Sequence, residues 1–145
     1  MASMKNFQHG EFEISYAVSP RITNEELNRL FADAWEKHKF FDFLSVLKHS
    51  LAYVCAYHAG RLVGFVNLAW DGAQHAFILD TTVHSDYRHH GIGQRLVRQA
   101  TEYARERNVD WIHVDFEPHL ETFYLDKCGF RSTKAGLLEV KSLEK

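Results

Sequence analysis

Between Val83 and Gly93 the chain runs Val-His-Ser-Asp-Tyr-Arg-His-His-Gly-Ile-Gly. A strand-like apolar run precedes this segment and a helical pattern follows it. Such a junction is a natural anion site. The first N–H groups of a helix have no intrahelical acceptors, and the helix dipole puts its positive end there. Gly91 and Gly93 let the loop tighten and let an oxyanion approach the backbone, so the expected ligand is a phosphate or pyrophosphate. No Gly-Lys-Ser/Thr follows, so this is not a Walker A loop. The residue three after Gly93 is Leu96, so the dinucleotide fingerprint is incomplete. On the glycines alone, a plain turn joining strand to helix remains the alternative.

Further reactive side chains lie in two other apolar runs. Asp80 sits within Phe77-Ile78-Leu79-Asp80-Thr81-Thr82. His113, Asp115 and Glu117 alternate with Ile112, Val114 and Phe116, which gives that strand one polar and one apolar face. A carboxylate inside a strand core is costly unless it is paired or used. Asp80 is therefore either tied structurally to His113 or to a threonine, or it joins Asp115 and Glu117 in attracting a cationic amine and relaying its proton. The ten histidines include His75, His84, His89, His90 and His113. Adjacent His89 and His90 rarely converge on one ion, no H-E-x-x-H spacing occurs, and no cysteine or carboxylate completes a ligand set. No metal is expected.

The elements that must position these groups follow from periodicity. Phe12 to Val18 alternates as a half-buried strand. Thr23-Asn24-Glu25-Glu26 is a capping box before a helix carrying Leu27, Leu30, Phe31 and Ala34. Phe40 to Leu47 is expected as a short helix, its aromatics placed in the core or along a pocket wall. Ala52 to Tyr57 and Leu62 to Trp70 form a hairpin through His58-Ala59-Gly60-Arg61. After the Asp71-Gly72 turn come a strand from Ala76 to Val83, a helix from Gly93 to Arg107 ended by Asn108, and a strand from Trp111 to Phe116. A short helix from Leu120 to Lys127, stopped by Gly129, and a last strand from Leu137 to Val140 complete the order. Strand hairpins followed by strand–helix–strand predict a mixed α/β sheet flanked by helices.

Composition narrows the class. With 145 residues, 46% hydrophobic and 14% aromatic, the chain supports one core, and residues 1–145 read as a single domain. A net charge of −2 gives no basic face for nucleic acid. No apolar run approaches the roughly 20 residues of a membrane span. Cys55 and Cys128 are too few for a disulfide framework and suit a reducing cytoplasm. No signal-peptide pattern opens the chain, and Met4 is a second candidate start in Met1-Ala2-Ser3-Met4.

Two motifs in this order resemble one family. Arg88-His89-His90-Gly91-Ile92-Gly93 fits R/Q-x-x-G-x-G/A, and Phe123-Tyr124-Leu125-Asp126-Lys127-Cys128-Gly129-Phe130 is similar to the F/L-Y-x-x-x-G-F end segment of the GNAT N-acetyltransferases. The element order from Phe12 to Val140 matches as well. The resemblance implies a mainly antiparallel sheet with a splayed central strand pair. It also implies transfer of an acetyl group from acetyl-CoA to a primary amine, of a small molecule or a protein lysine. Contacts to acetyl-CoA fall to Val83, His84, Ser85, Arg88, His89, His90, Gly91, Ile92, Gly93 and Gln94, with Glu117 and Tyr124. Backbone groups of Val83 and Ser85 would hold the pantetheine arm, and Val83 would polarise the acetyl carbonyl. Tyr124 matches the general acid; Asp80 and Asp115 are the base candidates. The family often has Asn where Glu117 stands and Pro where Ser85 stands. Two other classes stay open: a domain that binds or senses acyl-CoA without catalysis, and a nucleotide-binding regulatory domain. A homodimer is the assembly expected by analogy.

Overall fold

The computed structural model describes residues 3–143. Met1 and Ala2, part of the segment ahead of the second candidate start, lie outside the described residues. Six strands form one sheet in the order β1 (Met4–His9), β2 (Phe12–Val18), β3 (Ser50–His58), β4 (Arg61–Trp70), β5 (His75–Val83) and β6 (Trp111–Val114). All neighbours are antiparallel except β5 and β6, which are parallel. A parallel pair needs a crossover, supplied here by α3 (Ile92–Glu106). That crossover places the start of α3 at the end of β5, where an anion site would need it.

Each sheet face has its own helices. On one face α3 lays Leu96, Val97, Ala100 and Ala104 over Val54, Val66, Leu68 and Ile78. On the other, Leu27, Leu30 and Phe31 of α1 (Asn24–Ala34) and Phe43 of α2 (Phe43–Leu47) cover Cys55, Leu62 and Phe65. The expected capping box forms: Thr23 Oγ1 accepts from the Glu26 N–H at 3.1 Å, and the Glu26 carboxylate accepts from the Thr23 N–H at 3.2 Å. The β3–β4 hairpin turns through Ala59 and Gly60, both at positive φ, and Asn108 adopts the left-handed conformation just past α3. No helix among the described residues is long and apolar enough to cross a membrane.

Four expectations need correction. β1 was not foreseen: as an exposed edge strand it carries a single partly buried apolar residue, Phe7, so no alternation marks it. The strand expected over Leu137–Val140 does not form. Four residues supply few ladder bonds and no turn registers them against β6, so Leu137 is left 81% exposed. The helix expected from Leu120 to Lys127 is instead a 3₁₀ turn, Pro118–Leu120, followed by a π-helical segment, Thr122–Lys127, that ends at Gly129. Of the aromatic cluster before α2 only Phe43 is in the core. Phe40 and Phe41 are exposed, because Asn28 holds the Phe41 backbone at both its N–H and its C=O, each at 2.8 Å.

Leu96 lies under the first turns of α3 and is fully buried. Leu96→Ala is expected to destabilise the protein by about 2–5 kcal/mol through lost burial and a residual cavity. Urea unfolding measures this; a loss well under 1 kcal/mol would mean that α3 is not seated on β4 as described.

Candidate functional site

β5 and β6 pair in register from His75↔Trp111 to Ile78↔Val114 and no further. Immediately beyond, Leu79 still faces Asn67 of β4, but Thr82 faces Phe65. Asp80 and Thr81 thus stand opposite the single residue Val66, a β-bulge, with Asp80 at φ +58°. A bulge bends its strand and raises its twist. β5 swings away from β6, and a wedge opens between them. At the far end of the wedge the His84 N–H bonds the Val63 carbonyl at 2.8 Å. Antiparallel alternation then turns the Val83 N–H and C=O away from β4, toward the wedge. The Val83 carbonyl accepts from Arg88 Nε at 3.4 Å.

The loop after β5 leads into α3 through Gly91, which caps the helix at φ +81°. Arg95 is the first residue whose N–H reaches an intrahelical acceptor, the Gly91 carbonyl at 3.1 Å. The N–H groups of Ile92, Gly93 and Gln94 therefore lack one, the condition that the expected anion site needs. Gly93 has a different role from Gly91. A Cβ there would lie 3.3 Å from Phe123 Cζ, so Gly93 makes room for the ring beside Tyr124, whatever ligand approaches. The loop's other residues also have local roles. His89 is at φ +66°, His90 Nδ1 bonds the Arg88 carbonyl at 2.7 Å, and Ile92 is a core residue. Gln94 donates to the Lys127 carbonyl at 3.0 Å, tying α3 to the π-helical segment.

Ser85 departs from its expected use. Its N–H donates to Asp33 Oδ2 at 2.7 Å and its hydroxyl to Asp33 Oδ1 at 2.8 Å. The amide expected to hold a pantetheine arm is thus engaged by the last turn of α1. His84 is buried beside the same carboxylate, with Asp33 Oδ1 at 3.5 Å and the Arg61 guanidinium at 3.0 Å from Nε2. Asp33 carried no sequence signal, because 52 residues separate it from Ser85.

Tyr124 projects from the π-helical segment and is 6% exposed. Phe116 stacks on it at 5.1 Å, and Phe123 and Phe130 meet it edge-on. Its hydroxyl donates to Thr81 Oγ1 at 3.2 Å, at the bulge. Burial raises its pKa above the ordinary phenol value against a smaller opposing effect of the Thr81 bond, so the phenol keeps its proton through neutral pH.

Neither structural tie foreseen for the Asp80 carboxylate forms. His113 Nε2 bonds His75 Nδ1 at 2.8 Å and its ring stacks on Phe77, while Thr82 Oγ1 donates to the Asp80 main-chain carbonyl. Among the described residues the Asp80 carboxylate has no hydrogen-bond or ion-pair partner; the residue is exposed, and the partial desolvation it meets from neighbouring protein raises its pKa. Among the described residues Asp115 makes no hydrogen bond that links it to Asp80. β6 has ended by that point, and Asp115 lines a cavity of about 810 Å³ with Trp111, Phe130 and Arg131. That cavity includes none of Asp80, Val83 and Tyr124. Glu117 is exposed ahead of the Pro118 turn. Among the described residues no three potential metal ligands come together.

The chain matches the acetyltransferase (GNAT) family over residues 20–130. It is similar to the uncharacterized N-acetyltransferase ycf52 of Porphyra purpurea, at 29% identity over 132 residues, covering 87% of this chain and 75% of the relative. In fold it resembles a GNAT-family acetyltransferase from Streptococcus pneumoniae, with a TM-score of 0.68 and 22% identity over 88% of this chain and 98% of that one. It also resembles the aminoglycoside N-acetyltransferase AAC(6')-Iy in complex with CoA, with a TM-score of 0.72 and 15% identity over 94% of this chain and all (100%) of that one.

The Asp33–Ser85 bond carries a pH signature. Partial burial acts to raise the Asp33 carboxyl, but the Ser85 N–H and hydroxyl, with His84 and Arg88 nearby, outweigh it and hold the pKa below the usual value. A depressed folded pKa stabilises above the unfolded value, about 4, and that contribution is lost as pH falls through the folded value. Asp33→Ala should therefore lower Tm at about pH 7, with the deficit closing as the pH drops below about 4. Equal deficits at both ends of a Tm–pH series would contradict the bond.

Proposed function

The chain belongs to the GNAT family of acetyltransferases, and from that premise we propose that it moves the acetyl group of acetyl-CoA to a primary amine of a small molecule. The observation that carries this reading is the Tyr124 hydroxyl held at the Thr81 bulge, on the wedge that also receives the Val83 N–H and lies ahead of α3. A proton donor, an oxyanion donor and an anion-binding helix end thus share one opening.

The residues divide the reaction as follows. The N–H groups at the start of α3 bind the pyrophosphate. Val83, with its N–H turned into the wedge, bonds the acetyl oxygen and stabilises the charge that develops there when the amine attacks. Asp80 takes the proton that the amine must lose. Partial desolvation raises its pKa although the residue is exposed, a shift toward the working range of a general base. As the nitrogen–carbon bond forms and the carbon–sulfur bond breaks, Tyr124 gives its proton to the departing sulfur. A phenol whose proton is retained by burial suits a donor to a thiolate.

The acceptor class rests on charge. An unpaired carboxylate at the wedge favours a cationic amine over an anionic acceptor. Two structural neighbours, an aminoglycoside N-acetyltransferase in complex with CoA and the same enzyme with a bisubstrate analogue, support the cosubstrate and this class of acceptor.

Acetyl-CoA with a panel of polyamines, aminoglycosides, amino acids and lysine peptides, followed by thiol release and product mass, tests the proposal. Acetylation confined to lysine peptides would exclude the small-molecule acceptor, and CoA binding without turnover on any amine would leave only a binding role. Tyr124→Phe is expected to lower kcat by about 100-fold while CoA affinity holds. Asp80→Asn should raise the amine KM or lower kcat and remove the acidic limb of the pH–rate profile. In the parent that limb lies above the usual carboxylate range of about 4, the direction set by partial desolvation. Unchanged kinetics with a lowered Tm would make Asp80 structural instead.

A further inference from the structure

We propose that His9 is a positioning residue that aims the Gly91 N–H at the cosubstrate's pyrophosphate. The proposal rests on the reading of the 88–94 loop as the acetyl-CoA site, and it deepens that reading. His9 ends β1 and stands behind the loop. Its Nδ1 lies 2.9 Å from the His90 carbonyl, and its Nε2 lies 2.7 Å from the Tyr16 hydroxyl. A carbonyl can only accept, so Nδ1 carries the ring proton. Nε2 of that neutral tautomer can only accept, so the Tyr16 hydroxyl donates to it. Tyr16 is a core residue. The relay therefore anchors the loop to the rigid side of the sheet through one defined tautomer.

The consequence follows from peptide geometry. In a trans peptide the carbonyl of one residue and the N–H of the next point in opposite directions. Holding the His90 carbonyl back toward β1 forces the Gly91 N–H forward, away from the sheet and alongside the unpaired N–H groups of Ile92, Gly93 and Gln94. His89 and Gly91 on either side of His90 are both left-handed, at φ +66° and φ +81°. The β1–β2 turn is shaped to the loop as well. A Cβ on Gly10 would lie 3.3 Å from the His90 ring, a Cβ on Gly91 would lie 3.7 Å from His9 Nδ1, and Phe12 meets the His90 ring edge-on at 5.1 Å. One hydrogen bond on one carbonyl thus orders a donor array for phosphate oxygens.

The test compares acetyl donors with and without the pyrophosphate. His9→Ala should weaken CoA binding, measured by calorimetry, by about 10-fold, the scale of one aligned donor. Turnover of S-acetylpantetheine, which lacks the pyrophosphate, and the amine KM should match the parent. His9→Asn can place an amide N–H near the position of Nδ1 and should restore CoA affinity to within about 3-fold, while His9→Gln, which reaches toward Tyr16 instead, should not. Unchanged CoA affinity in His9→Ala overturns the proposal, as do equal losses on both donors, which mark a general packing defect. A parent protein that does not bind CoA at all removes the underlying site assignment, a different failure. If the alanine variant does not fold, ring-nitrogen NMR of the parent decides: an unprotonated Nδ1 on His9 at neutral pH overturns the relay.

Discussion

Backbone pairing between β5 and β6 stops at Ile78 and Val114, and the bulge at Asp80 and Thr81 keeps it from resuming. A sheet satisfies its N–H and C=O groups by pairing, so strands that part must leave some of them facing the gap. Here the gap receives the N–H of Val83 and the Thr81 hydroxyl, which meets Tyr124. Asp80 sits in a left-handed conformation that costs a non-glycine residue energy. Strain of this kind persists where the surroundings over-determine it, and β4 does so by pairing on both sides of the bulge.

The start of α3 is positioned by indirect means. α3 supplies unpaired donors by being a helix, but where they point depends on the loop that feeds them. Two anchors hold that loop from opposite layers. Asp33 of α1 takes the Ser85 amide and hydroxyl, while His9 of β1 holds the His90 carbonyl. Arg88 reaches back to the Val83 carbonyl within the same span. The helices of one face and the edge hairpin of the sheet therefore meet at this loop. Gly93 adds a packing constraint, since the Phe123 ring occupies the space its side chain would need.

Tyr124 shows how burial and chemistry combine. The π-helical segment from Thr122 to Lys127 puts the ring among Phe116, Phe123 and Phe130. That apolar surround keeps the phenol neutral, and Thr81 holds the hydroxyl on the wedge. Asp80, a few ångströms of strand away, is left without a partner of its own. In the proposed reaction these two groups, a phenol that keeps its proton and a carboxylate without a partner, would supply the acid and the base.

Much of this was legible in residue order. The helical period of α1 and α3, the Thr23 capping box, the Ala59–Gly60 turn and the alternation of β2 are local signals, and local geometry produced each of them. The Arg88–Gly93 and Phe123–Phe130 motifs were legible too, because a strand–helix junction and its partner turn are short stretches of chain. Tertiary structure alone decided the rest. β1 is an exposed edge with no apolar period, and the tail from Leu137 to Val140 had strand-like residues but no partner to pair with. Asp115 looked equivalent to Asp80 in sequence, yet it lies past the end of β6 and lines a cavity that Asp80 does not line. His9, Tyr16, Asp33 and Thr81 join the site through hydrogen bonds to residues far along the chain. Sequence periodicity reports which face of an element is buried; it carries no record of which distant carbonyl, amide or hydroxyl that face will meet.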